Sequence, residues 1–268
     1  MLQVQRLMAL TVYSPSLVLM RQAPYLSENH FMEPMSSHLV HPGPTADRPL
    51  LGVTVLVVED SRFASEAIRL MCLRSGARLR RANTLANAKR HLRVYRPDVL
   101  IVDAGLPDGS GVSLVRAAHH ASPRIDVILG TSGDDMTATA LRGAGADGFI
   151  PKPIESLAAF QAALLRHLPA ERQPPSPRAI PNDLLLPDEM ALHDDLHHAA
   201  DILSHDPQEA QILYISQFLD GIANTVNDPE LRGAAQQLAK MAPPTERQRH
   251  MQNLSAMLDL RIARTAQM

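Results

Sequence analysis

Tryptophan is absent, tyrosine and phenylalanine number four and five, and a single cysteine, Cys72, stands in 268 residues. One cysteine excludes an internal disulfide framework and a cysteine-rich zinc site, and it suits a reducing cytoplasm. No apolar run approaches the ~20 residues that cross a bilayer, so membrane insertion is not expected. Also missing are a glycine-rich phosphate loop after a strand and the signatures of cyclic-dinucleotide synthases or phosphodiesterases. A strong overall charge is lacking too, with 26 basic against 28 acidic residues, but the balance is uneven along the chain. Residues 53–168 hold fifteen basic and eleven acidic groups, whereas residues 182–268 hold six and thirteen, a balance of −7. Duplex binding needs a basic face to neutralise phosphates, so this acidic tail is not expected to bind DNA.

What the chain does have is proline, 21 of them, and their placement divides it. Prolines 15, 24, 34, 42, 44 and 49 interrupt residues 1–50, which read as a disordered leader, with Met32 or Met35 as alternative starts. A secretory signal at residues 7–20 is disfavoured, since its positive n-region amounts to Arg6 alone and residues 13–16 break the apolar part. From Val53 to Val58 a β-branched run, broken only by Leu56, leads into Glu59-Asp60-Ser61, and residues 62–75 then carry helical spacing that ends at Gly76. The alternation continues with strands at 77–82, 98–102, 125–130 and 148–150 and helices at 84–95, 110–120, 134–143 and 155–168. Five short apolar strands alternating with five helices predict an α/β fold, a doubly wound five-stranded parallel sheet over residues 51–168. Five prolines between 169 and 181 predict a stiff, extended linker.

Residues 182–268 read as a small all-α bundle of four helices. Leu192, Leu196, Ala199 and Leu203 form one stripe, and Ile212, Ile215, Leu219, Ile222 and Val226 a second. Leu231, Ala234, Leu238 and Met241 make the third, and Met251, Leu254, Leu258 and Ile262 the fourth. Asp206-Pro207-Gln208-Glu209 and Asp228-Pro229 look like helix starts, each with an N-cap acid followed by proline. Such narrow seams also suit pairing with a second copy of the chain.

In an open parallel sheet, chemistry gathers at the carboxyl ends of the strands. Here those ends carry Glu59-Asp60, Asp103, Thr131-Ser132 and Lys152-Pro153. Three converging carboxylates repel one another unless a cation sits among them, and hard oxygen donors favour Mg²⁺ or Mn²⁺. A lysine and a hydroxyl beside that cation complete a cradle for a phosphoryl group, and one carboxylate can serve as its nucleophile. Each of these residues alone has a plain structural explanation. Their joint appearance at four strand ends does not.

The segment 55–60, Leu100-Ile101-Val102-Asp103 with Leu106-Pro107 and Gly111, then Thr131, Gly145-Ala146-Asp147 and Lys152-Pro153 resembles the receiver domain of bacterial two-component response regulators. The likeness covers residues 53–168 and implies a flavodoxin-like fold. It implies that Asp103 accepts a phosphoryl group from a histidine kinase or a histidine phosphotransfer protein. Asp60, Glu59, Asp103 and the backbone carbonyl of Gly105 would surround Mg²⁺, with Glu59 acting largely through water. Thr131 and Lys152 would contact the phosphoryl oxygens, a cis peptide would join Lys152 to Pro153, and Phe149 would be the switch aromatic. Apart from its own phosphorylation and dephosphorylation, no enzyme activity is implied. Two departures stand out: Gly105 lacks the polar side chain often found there, and Ser132 stands beside Thr131 as a competing hydroxyl.

In the tail, His193, His197 and His198 are candidates for phosphotransfer, and His193 with His197 is spaced to clasp a metal. A solvated face beside the Leu192–Leu196 seam explains them more simply. No Lys-Gly follows any of the three, as it does in phosphotransfer domains. The tail is therefore read as a protein-binding output whose target is another protein or a second copy. Arg69, Arg74, Arg78, Arg80 and Arg81 flank the first helix and suggest an acidic partner surface.

Overall fold

The computed structural model describes residues 43–133, 135–154, 156–175, 189–240 and 244–265. The apolar run becomes β1 (Thr54–Val58), followed by α1 (Arg62–Ser75), β2 (Arg78–Ala82), α2 (Leu85–Val94) and β3 (Val99–Asp103). A two-residue hairpin, β4 (Gly105–Leu106) and β5 (Gly109–Ser110), leads into α3 (Gly111–His119). Then come β6 (Val127–Ser132), α4 (Asp135–Gly143), β7 (Gly148–Pro151) and α5 (Leu157–Leu165). All pairings in the main sheet are parallel, in the order β2-β1-β3-β6-β7. The doubly wound α/β expectation therefore holds, and the order reverses between β1 and β3, where such sheets place their ligands.

Side-chain alternation divides the core into two layers. Val55 and Val57 face α1 and α5, packing with Ile68, Met71, Phe160 and Leu164. Leu56 and Val58 face the other way, against Leu85, Leu114, Val115 and Leu141 of α2, α3 and α4. β2 lies at the edge and is largely exposed, which places Arg78, Arg80 and Arg81 on an edge strand directly after α1. Positive charges there discourage edge-to-edge pairing with another sheet.

Two features of the flanks differ from the sequence-based expectation. Residues 1–42 of the expected leader lie outside the described residues, but Leu50 is fully buried and its N–H donates to Ser75 O at 2.9 Å. A leucine sealing the end of the α1 layer outweighs the proline-rich context that suggests disorder. At the other flank, Ala170–Arg172 form a 3₁₀ turn where an extended linker is expected. Arg172 donates to Gly52 O and Asp98 Oδ1, both at 3.2 Å, and ties that turn to the base of the sheet. Residues 176–188, which include the rest of the proline-rich stretch, lie outside the described residues.

The four expected tail helices are α6 (Glu189–Ser204), α7 (Glu209–Thr225), α8 (Pro229–Lys240) and α9 (Pro244–Thr265). Leu196, Ala199, Leu203, Ile215, Leu219, Ile222, Leu238, Leu254 and Leu258 share one core. Met241, the last residue of the third stripe, is outside the described residues. α7 begins later than expected, with Gln208 as its cap and the Gln211 side chain accepting from Gln208 N at 2.9 Å. Asp206 instead adopts a left-handed conformation, φ 49°, which Asp tolerates better than most residues. None of the described helices is long and apolar enough to cross a membrane.

Asp228 does cap α8 as expected, accepting from Leu231 N at 3.0 Å, and it also ties α8 to α9 through two bonds from Arg261 at 2.6 and 3.0 Å. Those bonds hold the Asp228 carboxyl below its ordinary range, so the stabilisation is lost only as pH falls through that lowered value. Asp228→Ala removes cap and ion pair together and is expected to cost about 2 kcal/mol. Urea unfolding checks this, and a change within about 0.5 kcal/mol, the usual surface-substitution range, would contradict it.

Candidate functional site

The ends of β1, β3 and β7 bring Glu59, Asp60, Asp103 and Lys152 to one spot. One carboxylate oxygen from each of Glu59, Asp60 and Asp103 lies within 4.8 Å of the others. Lys152 Nζ sits 2.7 Å from Glu59 Oε2 and 2.9 Å from Asp103 Oδ1. The Lys152–Pro153 peptide is cis. Asp103 and Thr131 are register partners across β3 and β6. Ser132, one residue on, lines the cleft, and so does Gly105. Phe149 is partly buried against the α3–α4 layer, with the Arg142 guanidinium 5.9 Å above its ring.

Close backbone approach explains the glycine that opens α3. A Cβ on Gly111 would lie 1.9 Å from the Asp103 carbonyl oxygen, so any side chain there displaces the strand end that carries Asp103. The sequence motif included this glycine, but only the structure shows what it touches.

Burial and mutual repulsion dominate the electrostatics. Burial, with the Asp103 and Asp60 charges behind it, pushes Glu59 up to about 8 despite the opposing pull of Lys152. Asp60 is pushed up to about 7, first by burial and then by the Asp103 charge. For Lys152, burial opposes the charge, but the Asp103 and Glu59 carboxylates together outweigh it and hold the ammonium above its ordinary range. One lysine among three carboxylates leaves a deficit of positive charge. A cation bound among these carboxylates would offset that repulsion and lower both groups again. The Thr131 hydroxyl is buried without a hydrogen-bond partner, an unmet polar group beside the same pocket. The donor set is all hard oxygen, so the residues fit a Mg²⁺-type cation and an oxyanion next to it. Cys72, by contrast, is fully buried, its thiol pushed up to about 12 by burial, and it takes no part.

The leucine and isoleucine stripes of the tail do not by themselves signal that the bundle reaches this pocket. Tyr214 of α7 donates its hydroxyl to Asp60 Oδ2 at 2.5 Å. Asp195 of α6, only 2% exposed, accepts from Ser61 Oγ at 2.7 Å, Arg62 N at 2.8 Å and Phe63 N at 3.0 Å, where α1 begins. Asn224 donates to Lys152 O at 2.9 Å. A Cβ on Gly105 would come within 3.1 Å of Gln217 Oε1, so α7 occupies the space that a side chain at residue 105 would need. Together the two parts enclose a cleft of about 1080 Å³.

The tail histidines separate. His198 Nε2 lies 3.4 Å from the Tyr214 hydroxyl, at the margin of the acid pocket. His193 and His197 pair with each other, ring centroids 4.4 Å apart. Among the described residues, the only group of three metal-ligating side chains is Glu59, Asp60 and Asp103, so the His193–His197 pair has no third donor.

The family model for the response regulator receiver domain matches residues 55–164. That segment is a response regulator receiver domain. Among curated proteins, the KDP operon transcriptional regulatory protein KdpE of Escherichia coli K12 is 32% identical over 116 residues, covering 42% of this chain and 52% of that protein. The virulence transcriptional regulatory protein PhoP of Salmonella typhimurium is 32% identical over 115 residues, covering 42% and 51%. The chain thus spans about half the length of these relatives. Among solved structures, a putative response regulator from Chloroflexus aurantiacus is 28% identical, covering 40% of this chain and 91% of that one, with a TM-score of 0.39. The chemotaxis response regulator CheY4 of Vibrio cholerae is 23% identical, covering 43% and 98%, also with a TM-score of 0.39.

Proposed function

We propose that this chain is a cytoplasmic two-component response regulator. Its receiver, residues 51–168, takes a phosphoryl group on Asp103 from a histidine kinase or a histidine phosphotransfer protein. The stretch 169–181 links it to an output module, residues 182–268. The observation that carries the reading is Lys152 Nζ at 2.9 Å from Asp103 Oδ1, with Glu59 and Asp60 oxygens gathered within 4.8 Å.

In this reading an Asp103 carboxylate oxygen attacks the phosphorus, and the bond from phosphorus to the donor's leaving group breaks. Lys152 stays beside the new acyl phosphate and neutralises its oxygens, while Thr131 or Ser132 supplies a hydroxyl donor. Glu59, Asp60, Asp103 and the Gly105 carbonyl would hold Mg²⁺, which supplies charge neutralisation for the phosphoryl oxygens. Phe149 would follow Thr131 as the switch. The acidic balance of residues 182–268 supports a protein target, a different protein or a second copy, over DNA.

Acetyl phosphate with Mg²⁺ is expected to load one phosphoryl group per chain, stable to brief acid and released by hydroxylamine, as an acyl phosphate is. Absence of uptake would count against the reading. A second reading makes the tail a phosphoryl carrier, and the placement of His198 3.4 Å from Tyr214 favours that histidine over His193 and His197. Acid-labile, hydroxylamine-resistant phosphate would support it.

A further inference from the structure

α7 lines the cleft that holds the acid pocket, α6 packs on the start of α1, and their contacts divide into a latch and a plug. The latch is Asp195. Its buried carboxylate takes three hydrogen bonds from Ser61, Arg62 and Phe63, satisfying backbone N–H groups that the first turn of α1 otherwise leaves open. Arg62 adds a bond to Asp194 at 2.5 Å, and Asn224 holds the far end of α7 to Lys152 O. The plug is Tyr214, whose hydroxyl donates to Asp60 Oδ2, with Gln217 set over Gly105.

These contacts use groups that a loaded pocket also needs. A cation at Asp60 takes the oxygen lone pairs that accept the Tyr214 hydroxyl, and it repels the positive end of that O–H dipole. Gln217 lines the same cleft as Asp103 and stands over Gly105, where it would crowd a phosphoryl group added to Asp103. The same α7 also stands between Asp103 and any histidine carried on another protein. We propose that α6 and α7 form a reversible lid and that Tyr214 and a divalent cation compete for Asp60, so loading the pocket releases the bundle. The inference rests on the reading of the pocket as a cation and phosphoryl site. By reciprocity, whatever the cation does to the lid, loosening the lid does to cation affinity.

The test uses the full chain as wild type, Tyr214→Phe and Asp195→Asn, with Mg²⁺ and beryllofluoride as probes. Calorimetry reads Mg²⁺ affinity, and small-angle scattering reads the radius of gyration. Both variants are expected to bind Mg²⁺ at least about fivefold more tightly than wild type. Wild type is expected to expand when Mg²⁺ and beryllofluoride bind, and Asp195→Asn to be expanded without them. Asn224→Ala replaces Asp195→Asn should the latter fail to fold. Unchanged Mg²⁺ affinity in the variants, or a wild-type radius that stays constant while beryllofluoride binds, would overturn the lid. Failure of every form to bind Mg²⁺ and beryllofluoride would overturn the pocket's reading itself, and the lid with it.

Discussion

Asp103→Asn is expected to abolish phosphoryl uptake from acetyl phosphate, by about three orders of magnitude or more, while leaving the chain folded. The amide keeps the shape of the carboxylate but offers no anionic oxygen to attack phosphorus, so the acyl phosphate cannot form. Folding should survive for an electrostatic reason. Asp103 is one of three carboxylates around a single lysine, and its charge raises both Glu59 and Asp60. Removing it relieves two repulsions, while Lys152 keeps its partner Glu59 at 2.7 Å. The metal-free variant is therefore expected to melt at or above the wild-type temperature, by about 1 kcal/mol of added stability. Intact-mass measurement of phosphoryl incorporation, paired with a thermal melt, checks both halves. Uptake at the wild-type level in a folded variant would move the acceptor to another residue.

The pocket was legible because each strand announces its own end. Val53–Val58 runs straight into Glu59-Asp60, and the run closing at Val102 meets Asp103, so a parallel sheet had to bring these acids together. Helix stripes were equally readable, since Leu196, Ala199 and Leu203 bury toward the bundle at the spacing the chain displays. Contacts that join distant segments were not. The partner of Tyr214 lies 154 residues away, and that of Asp195 lies 134 away at Ser61. A weak local signal did exist. Tyr214 and Phe218, the tail's only aromatics, sit one turn apart beside the Ile212–Ile215–Leu219 stripe, so α7 is apolar over a wider arc than one seam requires. Asp206 misled for the opposite reason. Asp followed by Pro is a good helix start, but the same side chain tolerates a left-handed turn, and here the turn prevails. The β4–β5 hairpin, two residues to a strand, is too short for any period to show.

Without Mg²⁺, the melting temperature is expected to fall as pH rises from about 5 to about 8. Burial raises Glu59 from its ordinary 4.5 to about 8 and Asp60 from 3.8 to about 7. In that window the folded chain binds protons that the unfolded chain has already released, and stability drops with rising pH wherever the native state binds more protons. Each unit of difference corresponds to about 1.4 kcal/mol per group, so about three units for Glu59 and two for Asp60 in that window set a loss on the order of 7 kcal/mol by pH 8. That amounts to more than about 10 °C for a chain of this size. Asp228, whose carboxyl is lowered, titrates below this window and leaves the slope alone. A divalent cation should reverse the trend, because it replaces the protons and binds only the native arrangement. Mg²⁺ is therefore expected to raise the melting temperature at pH 8 and to do little at pH 5, where protons hold the same oxygens. Glu59→Gln, neutral at every pH, should flatten much of the metal-free slope. A metal-free melting temperature that stays level or climbs between pH 5 and 8 would mean the carboxylates are already charged and that Lys152 alone suffices to balance them.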